Sequence, residues 1–487
     1  MSLSVALNTA RASLLSTATQ ISVSGSNIAN ANDASRTRKI AQTTTTAGGG
    51  SAVTITRAGS TTLLARLLGT QSGTATAKAI ADGLDRLHQT VGDTGDNMSP
   101  AARAAALQTA LTAYANDPSD NALAQSVVSA AQSLTTTLNS ATATVTTVRN
   151  DADTAMAQSV DDLSDLLSQL EEVNQTVLAR TRTGEDTTDA LDRRDALLGK
   201  ISEEIGITVV ARADNDIAVY TDSGVTLFDK SARTVSFTAS SALGPGVEGN
   251  AVLVDGVPVT GANATMPIHS GKLAGLAELR DTIAPTYQAQ LDELARGLVE
   301  AFAESDQTSG GGPDLAGLFT WSGGPNLPAT GTLSSGLAGT IAVNPAVIPA
   351  SGGSLTRIRD GGINGASYAY NDSGAAGFSD RLAALIDGFS TTRSFDGAAN
   401  IGAAATLTSF GTTSVAWLEE QRQTAVNTAD YQATLLSETA TAFSNTAGIN
   451  LDEEYALQLQ LEQSYQASSK LIAVVNSMFD SLMAMVA

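Results

Sequence analysis

Apolar side chains recur at alternating spacings of four and three residues at both ends of the chain. Near the start, Leu3, Leu7, Ala10, Leu14, Thr17, Ile21, Ser24 and Ile28 keep this rhythm. Near the end, Leu461, Tyr465, Ser468, Ile472, Val475, Phe479, Leu482 and Val486 keep it. It is the a/d repeat of a coiled coil, and it predicts a helix over residues 1–32, about 45 Å long, and a second over 449–487. The first seam mixes large, small and hydroxyl side chains, which suits crowded packing among several helices better than a self-sufficient dimer. In the second helix a further stripe of Leu457, Leu471, Val474, Met478 and Met485 widens the apolar face, and a wide face needs more than one neighbour. Gly448 ends whatever precedes, Asn450 or Asp452 caps the new helix, and Asp452, Glu453 and Glu454 complement its positive N-terminus. The pattern predicts a structural subunit that assembles through its two ends.

The interior reads as modular. Residues 41–60 form a Thr/Gly-rich loop with one short β-like run, Val53 to Thr56. Helix is expected over 61–92 and most of 101–204, with Asp117 and Pro118 as the N-cap and first-turn signal of the helix that follows. Met156, Val160, Leu163, Leu167, Leu170, Asn174 and Val177 again step by four and three; Gly184 interrupts, and helix resumes from Thr187 to Glu204. From Ile207 to His269 the period changes to two, as in Ile217-Ala-Val-Tyr220 and Ala251-Val-Leu-Val254, with Gly, Pro and Asp turns between; this is a small β domain. A long helix is expected over about 272–304, with Pro285 as the site of a kink. Residues 306–376 are Gly/Ser/Pro-rich, a second β or irregular insertion, and 377–445 return to helix. The expected fold is mainly α with β insertions, elongated and multidomain. Its parts are a terminal coiled-coil domain (1–40 with 446–487), a helical bundle (41–206 with 271–305 and 377–445), a β domain (207–270) and the insertion (306–376). Such nesting puts both termini at one end of the molecule.

Composition narrows the function classes. Hydrophobic residues make up 42% but aromatics only 4%, so small aliphatic side chains suited to close helix packing dominate. The net charge of −22 would repel a phosphate backbone or an anionic bilayer, so neither nucleic acid nor membrane is an expected partner. No run approaches the roughly 20 apolar residues of a membrane span. No basic residue precedes Arg11, so a cleavable signal peptide is not expected, leaving a cytosolic protein or one exported by another route. Absence of cysteine removes thiolate chemistry and Cys-type zinc sites. His88 and His269, the only histidines, read as ordinary surface or core residues.

The motifs that could carry chemistry read as turns or surface. Gly244-Pro-Gly-Val-Glu-Gly249 matches GxGxxG, but a dinucleotide site needs that string between a strand and a helix N-terminus, and here a strand follows. Asp214-Asn-Asp216 and Asp93-Thr-Gly-Asp96 lack the rest of a calcium loop. Asp192-Arg-Arg-Asp195 reads as salt-bridged helix surface. No catalytic, cofactor-binding or metal site is expected, and no enzyme.

Ser26-Asn-Ile-Ala-Asn-Ala-Asn32 follows the first heptads; Gly448-Ile-Asn-Leu-Asp-Glu-Glu454 opens the last ones, which continue into Tyr465-Gln-Ala-Ser-Ser-Lys470. Together these resemble the end signatures of bacterial flagellar axial proteins of the rod, hook and hook-associated group. In the interior, Gly48–Arg57, Asn116–Asp120, Leu191–Leu198, Ser270–Leu276 and Gln288–Phe302 are similar to the hook-associated protein 1, or FlgK, family. Two segments depart from it. After Asn32 the family continues with a Thr-Pro-Gly-Tyr-Ser-Arg-like stretch, replaced here by Asp33-Ala-Ser-Arg-Thr-Arg38; the Asn that follows the middle helix is replaced within Ala303-Glu-Ser-Asp306.

The resemblance implies a subunit joining hook to filament, exported unfolded by the flagellar type III system and therefore extracellular after a cytoplasmic phase. It implies as partners the hook protein, the second hook–filament junction protein, further copies of the chain in the axial tube, and a cytoplasmic export chaperone on the C-terminal helix. The assembly interface would comprise Leu3, Leu7, Leu14, Ile21, Asn27, Ile28, Asn30 and Asn32 with Leu451, Leu461, Tyr465, Ile472, Val475, Phe479, Leu482 and Val486. Isolated helices with softened seams are marginal in water, so both ends are expected to be disordered in the free monomer and to order in the tube. The rivals are the hook protein, against which the helices of 61–204 count; a cytoplasmic coiled-coil adaptor or signalling protein, whose long hairpin the β domain would interrupt; and an adhesin or surface enzyme, for which no site is present.

Overall fold

The computed structural model describes residues 3–45, 51–92 and 97–486. Helix α1, Leu3–Ala29, is followed by a hairpin of β1, Lys39–Thr45, and β2, Ser51–Arg57, paired antiparallel throughout. The β-like run expected at Val53–Thr56 thus lies within β2, and residues 41–45 of the expected loop are strand as well. Strand β1 is mostly polar Thr and Gln, so no apolar alternation marks it, and its ladder partner supplies what its own pattern lacks.

Helix α2, Thr61–His88, starts at Ser60, whose hydroxyl accepts from the Leu63 amide. Helices α3, Pro100–Asn116, and α4, Asn121–Thr183, divide near the expected new start at Asp117 and Pro118. Asp120, not Asp117, caps α4, accepting from the amides of Ala122 (2.6 Å) and Leu123 (3.4 Å). Asp117 instead closes the preceding turn on Ser119, because its backbone has already left the helix at the end of α3. Helix α4 has 63 residues, about 95 Å at the usual rise. All seven residues of its predicted stripe, Met156 to Val177, are buried. It ends at Gly184, left-handed at φ 75°, and α5, Thr188–Glu204, folds back along it. The pair Asp93 and Asp96 lies outside the described residues.

Seven short strands follow: β3, Ile207–Ala211, β4, Ile217–Thr221, β5, Thr226–Asp229, β6, Ser231–Ala232, β7, Val235–Ser236, β8, Leu253–Val254, and β9, Val257–Pro258. They form an antiparallel four-stranded sheet (β3–β6) and a three-stranded one (β7–β9). Both lie against the second half of α4. There Glu171 accepts from the Ala232 amide (2.8 Å), Asp153 from that of Ser240 (2.7 Å) and Asn174 donates to Asp216 (2.7 Å). The GxGxxG string is a loop between strands, as expected, and the Arg149 guanidinium donates to the carbonyls of Leu243, Gly244 and Val247 within it.

Helix α6, Lys272–Glu278, passes through a π turn, Leu279–Ile283, into α7, Ala284–Ala301. Pro285 cannot donate and would crowd the carbonyl four residues back; the wider turn, in which the Ala284 amide reaches Leu279 O, takes up the strain that predicts a kink. Gly271, at φ 96°, opens α6, and a Cβ there would lie 2.5 Å from the Ile205 Cα. Helix α7 is the most buried of the long helices. Its Arg296 and Glu293 are both fully buried and paired at 2.8 Å, with Glu300 at 2.6 Å.

Small elements follow: Phe319–Thr320 pairs with Ala342–Val343, α8 is Leu337–Thr340 and α9 is Arg357–Asp360. Glu304, where the family has Asn nearby, is fully buried and organises this insertion, accepting from the amides of Ile363 (3.1 Å) and Asn364 (3.0 Å) and from the Asn364 side chain (3.0 Å). Helix α10, Asp380–Asp387, is short, and 388–406 is irregular with a two-residue hairpin, so helix does not run through 377–445. Gly388 ends α10, and Asp396, capping the turn at Gly397–Ala399, holds the break open. Helix α11, Leu407–Ala447, then runs antiparallel along α2 (Asp85 to Arg422, 3.6 Å; Thr74 to the Gln432 carbonyl, 3.1 Å). Asn450 caps α12, Leu451–Val486, accepting from the amides of Asp452 (3.0 Å) and Glu453 (3.4 Å). The fold is mainly helical with small antiparallel sheets, as the sequence predicts.

Candidate assembly interface

Helices α1 and α12 lie side by side and antiparallel: the Ser13 and Ser468 hydroxyls meet at 3.2 Å, and Ser24 Oγ donates to Glu454 Oε2 at 2.8 Å. The four–three rhythm explains the pairing. On α1, Ala10, Thr17 and Ser24 are buried, and Leu7, Leu14, Ile21 and Ile28 are half-buried. On α12, Leu461 and Val475 are buried, and Ser468, Ile472 and Phe479 are half-buried. Each helix thus covers most of the other's seam, with Tyr465 and Leu482 of α12 left exposed. The side chains of Leu3 and Val486 lie outside the described part.

The rest of the apolar face of α12 has no cover. Leu471, Val474, Met478, Leu482 and Met485 are 49%, 56%, 55%, 48% and 81% exposed and succeed one another by three or four residues along one side. Tyr465 and Leu451 are also exposed, as is Leu457. An apolar row of this length on one helix face marks a contact surface; full burial of such a side chain contributes about 1.5–3 kcal/mol, and about half of that remains to be gained at these half-covered positions.

The polar signature after α1 behaves differently from the apolar rows. Asn27 is buried and makes a two-way bond with the Lys39 backbone, donating to its carbonyl (2.8 Å) and accepting from its amide (3.0 Å). Asn30 donates to the Ser26 carbonyl (2.8 Å) and closes the helix end, while Asn32 is exposed. Asn27 therefore fixes the exit of the chain from α1 into β1.

Segment 33–39 then fastens the helix pair to the rest of the molecule. Arg36 and Lys39 each reach Asp189 at 2.7 Å; the Thr37 hydroxyl donates to Asp192 at 2.6 Å. Arg38 reaches Glu453 and Glu454 at 2.7 Å each, and its own amide bonds the Ala447 carbonyl at 2.7 Å. From β2, Arg57 reaches Asp195 (2.7 Å) and Asp192 (3.3 Å). The hydrogen bond from Lys39 holds the Asp189 carboxyl below its usual value, whereas burial pushes Asp195 up despite Arg57. The charges at 192–195 are thus not all at the surface: Asp192 is buried under Thr37 and Arg57, and Arg194, on the opposite face of α5, is buried against α4 and the turn before β4, where it donates to Asn174 and the Asn215 carbonyl. Sequence reasoning missed this joint. One signal was present: continued back from Leu461, the seam spacing reaches Gln458 and then Glu454.

Among the described residues no group of three or more His, Asp or Glu side chains could hold a metal, and no helix is long and apolar enough to cross a membrane.

Comparison with known proteins gives a consistent neighbourhood. Residues 84–317 match the model of the flagellar hook-associated protein FlgK helical domain, and 440–485 that of the flagellar basal body rod FlgEFG protein C-terminal region. The two stretches together span more than half of the chain. Flagellar hook-associated protein 1 of Bacillus subtilis (strain 168) is 22% identical over 394 residues, covering 76% of this chain and 73% of that protein. In fold, the chain is similar to the flagellar hook junction protein FlgK from Burkholderia pseudomallei, with a TM-score of 0.56 at 14% identity, covering 78% of this chain and 99% of that one.

Proposed function

The chain belongs to the FlgK family of flagellar hook-associated proteins, and from that premise we propose that it forms the junction between hook and filament, held there by its terminal helix pair. The observation that carries this reading is the uncovered row Leu471, Val474, Met478, Leu482 and Met485 beside a seam that α1 and α12 already satisfy between themselves. The seam builds the pair, and the row is left for neighbours. In this reading Leu7, Leu14, Ile21 and Ile28 of α1 with Leu461, Ile472, Val475 and Phe479 of α12 hold the pair together, Asn27 and Asn30 fix its corner, and the exposed Asn32, Leu451, Tyr465 and Leu482 join the row in contacting neighbours.

Its neighbours in this reading are copies of itself, the hook protein on one side and the second hook–filament junction protein on the other. The role is structural, in the extracellular flagellum, reached from the cytoplasm through the flagellar type III channel. An apolar row this open is an aggregation hazard before assembly, which supports a cytoplasmic chaperone that covers α12 until export. The working division of the chain is the terminal pair (1–40 and 446–487), the helical body (41–206, 271–305 and 377–445), the β domain (207–270) and the insertion (306–376).

Deletion of 451–487 tests the placement. Immunogold labelling in cells that build hooks but no filaments should find the full chain at hook tips and the shortened chain absent from them, and the shortened chain should no longer bind the chaperone. Retained chaperone binding, or labelling of hook tips by the shortened chain, would refute it.

A further inference from the structure

We infer that Glu454 is the residue that sets the register of the terminal helix pair. The seam itself does not choose a register. Along α1 its large positions are Leu7, Leu14, Ile21 and Ile28 and its small ones are Ala10, Thr17 and Ser24, so each heptad nearly repeats the last. Along α12, Leu461, Val475 and Leu482 alternate with Tyr465, Ile472 and Phe479, and Ser468 is the one small residue among them. A slide of seven residues, about 10 Å, would repack the large positions with other large apolar side chains, the exchange of Ser468 for Leu461 or Val475 being the one marked change of size.

Glu454 does not tolerate that slide. It occupies a seam position and is fully buried, and among the described residues of α1 and α12 it is the one ionisable side chain that is. A buried carboxylate needs its partners, and Glu454 has two from different parts of the chain. Ser24 Oγ donates from α1 at 2.8 Å and Arg38 Nε from the joint at 2.7 Å. Arg38 cannot follow a sliding helix, because its amide is bonded to the Ala447 carbonyl and its carbonyl accepts from Ala58. A slide exchanges Ser24 for Thr17 or Ala31 and carries the carboxylate about 10 Å from Arg38. The neighbouring Glu453, 58% exposed, makes a solvated pair with Arg38 that imposes no such condition. A single paired polar group in an otherwise apolar seam selects register at some cost in stability. Through Arg38 the same carboxylate ties that register to the body. This inference concerns the pair itself and stands apart from where on the flagellum the protein sits.

The chain has no cysteine, so register can be read by engineered disulfides. Ser13→Cys with Ser468→Cys reports the observed register, since the two hydroxyl oxygens lie 3.2 Å apart. Ser13→Cys with Leu461→Cys, or with Val475→Cys, reports a slide of one heptad in either direction. Oxidation traps whichever pairing forms, so the ratio of yields does not depend on how much of the pair is folded at any instant. With Glu454 in place the observed-register disulfide should exceed either slipped one by about tenfold or more. In Glu454→Leu the slipped disulfides should rise to within about threefold of it at unchanged helix content, and Glu454→Gln should fall between. An unchanged ratio in Glu454→Leu overturns the inference, as does absence of the Ser468→Cys crosslink in the chain that keeps Glu454. If Glu454→Leu does not fold, Glu454→Gln decides, and there an unchanged ratio overturns it.

Discussion

Asp292, on α7, shows what a single buried carboxyl does for the insertion that follows. It accepts from the amides of Gly336 and Ala338, each at 2.8 Å, and from Gln288 at 3.1 Å, and so pins α8 to the central helix. Burial outweighs these bonds and pushes its pKa up from 3.8 to about 6. Between those values the folded chain holds a proton that the unfolded chain has lost. The contribution of Asp292 is therefore fully present below about pH 4 and is lost as pH rises through about 6, by about 3 kcal/mol in all. Urea unfolding of the wild type and Asp292→Asn across pH 4–7 should show the wild type losing stability relative to the variant over that window; parallel curves would contradict it. Charges of this kind were hidden in the sequence. Asp192, Glu304 and Arg296 look like ordinary helix or loop polarity, and only partners far along the chain (Thr37, Asn364 and Ser394) bury them.

Among elements, the long helices were the most legible because their apolar period persists over many turns; the stripe of α4 could be read to the residue. Three features were not. The strand Lys39–Thr45 lacks an apolar face, the cap of α4 competes with an equally good Asp three residues earlier, and the break at 388–406 depends on turns rather than on any loss of helix-forming residues. The family-like string Ser270–Leu276 gains a physical reason from the crossing of α6 over α2. A Cβ on Gly275 would lie 2.6 Å from the Thr76 carbonyl oxygen, which belongs to the backbone of α2 and cannot swing aside. Gly69, within α2, has nothing within 4 Å. Gly275→Ala should therefore destabilise the protein by about 2 kcal/mol, whereas Gly69→Ala should stabilise it by up to about 1 kcal/mol. Thermal unfolding of the two variants should move in opposite directions, and a Gly275→Ala variant as stable as Gly69→Ala would remove the close crossing from the account.

At the scale of the whole molecule the chain leaves through α1 and β1, builds its helical body and β insertions, and returns through α11 to α12, where Arg38, Ala447 and Glu454 bring both passages together. The outline of this path was legible from the order of periodicities. The joint that secures it was not, because the ion pairs of Arg36 and Lys39 with Asp189 leave no local trace and Glu454 shows only as a charged residue on the seam spacing, with nothing to name Arg38 as its partner. The structure also refines what the terminal heptads mean. They predict helices waiting for partners, and α1 and α12 prove to be each other's first partner; what waits is the second stripe. In the proposed junction the order of this pair, α1 with 27 residues and α12 with 36, is completed by neighbours that cover Leu471 to Met485. Far-ultraviolet circular dichroism of the free monomer against assembled protein tests it most directly. Helix content per chain should be higher in the assembled state, with the gain abolished when 451–487 is deleted, and equal helix content in monomer and assembly would contradict the claim.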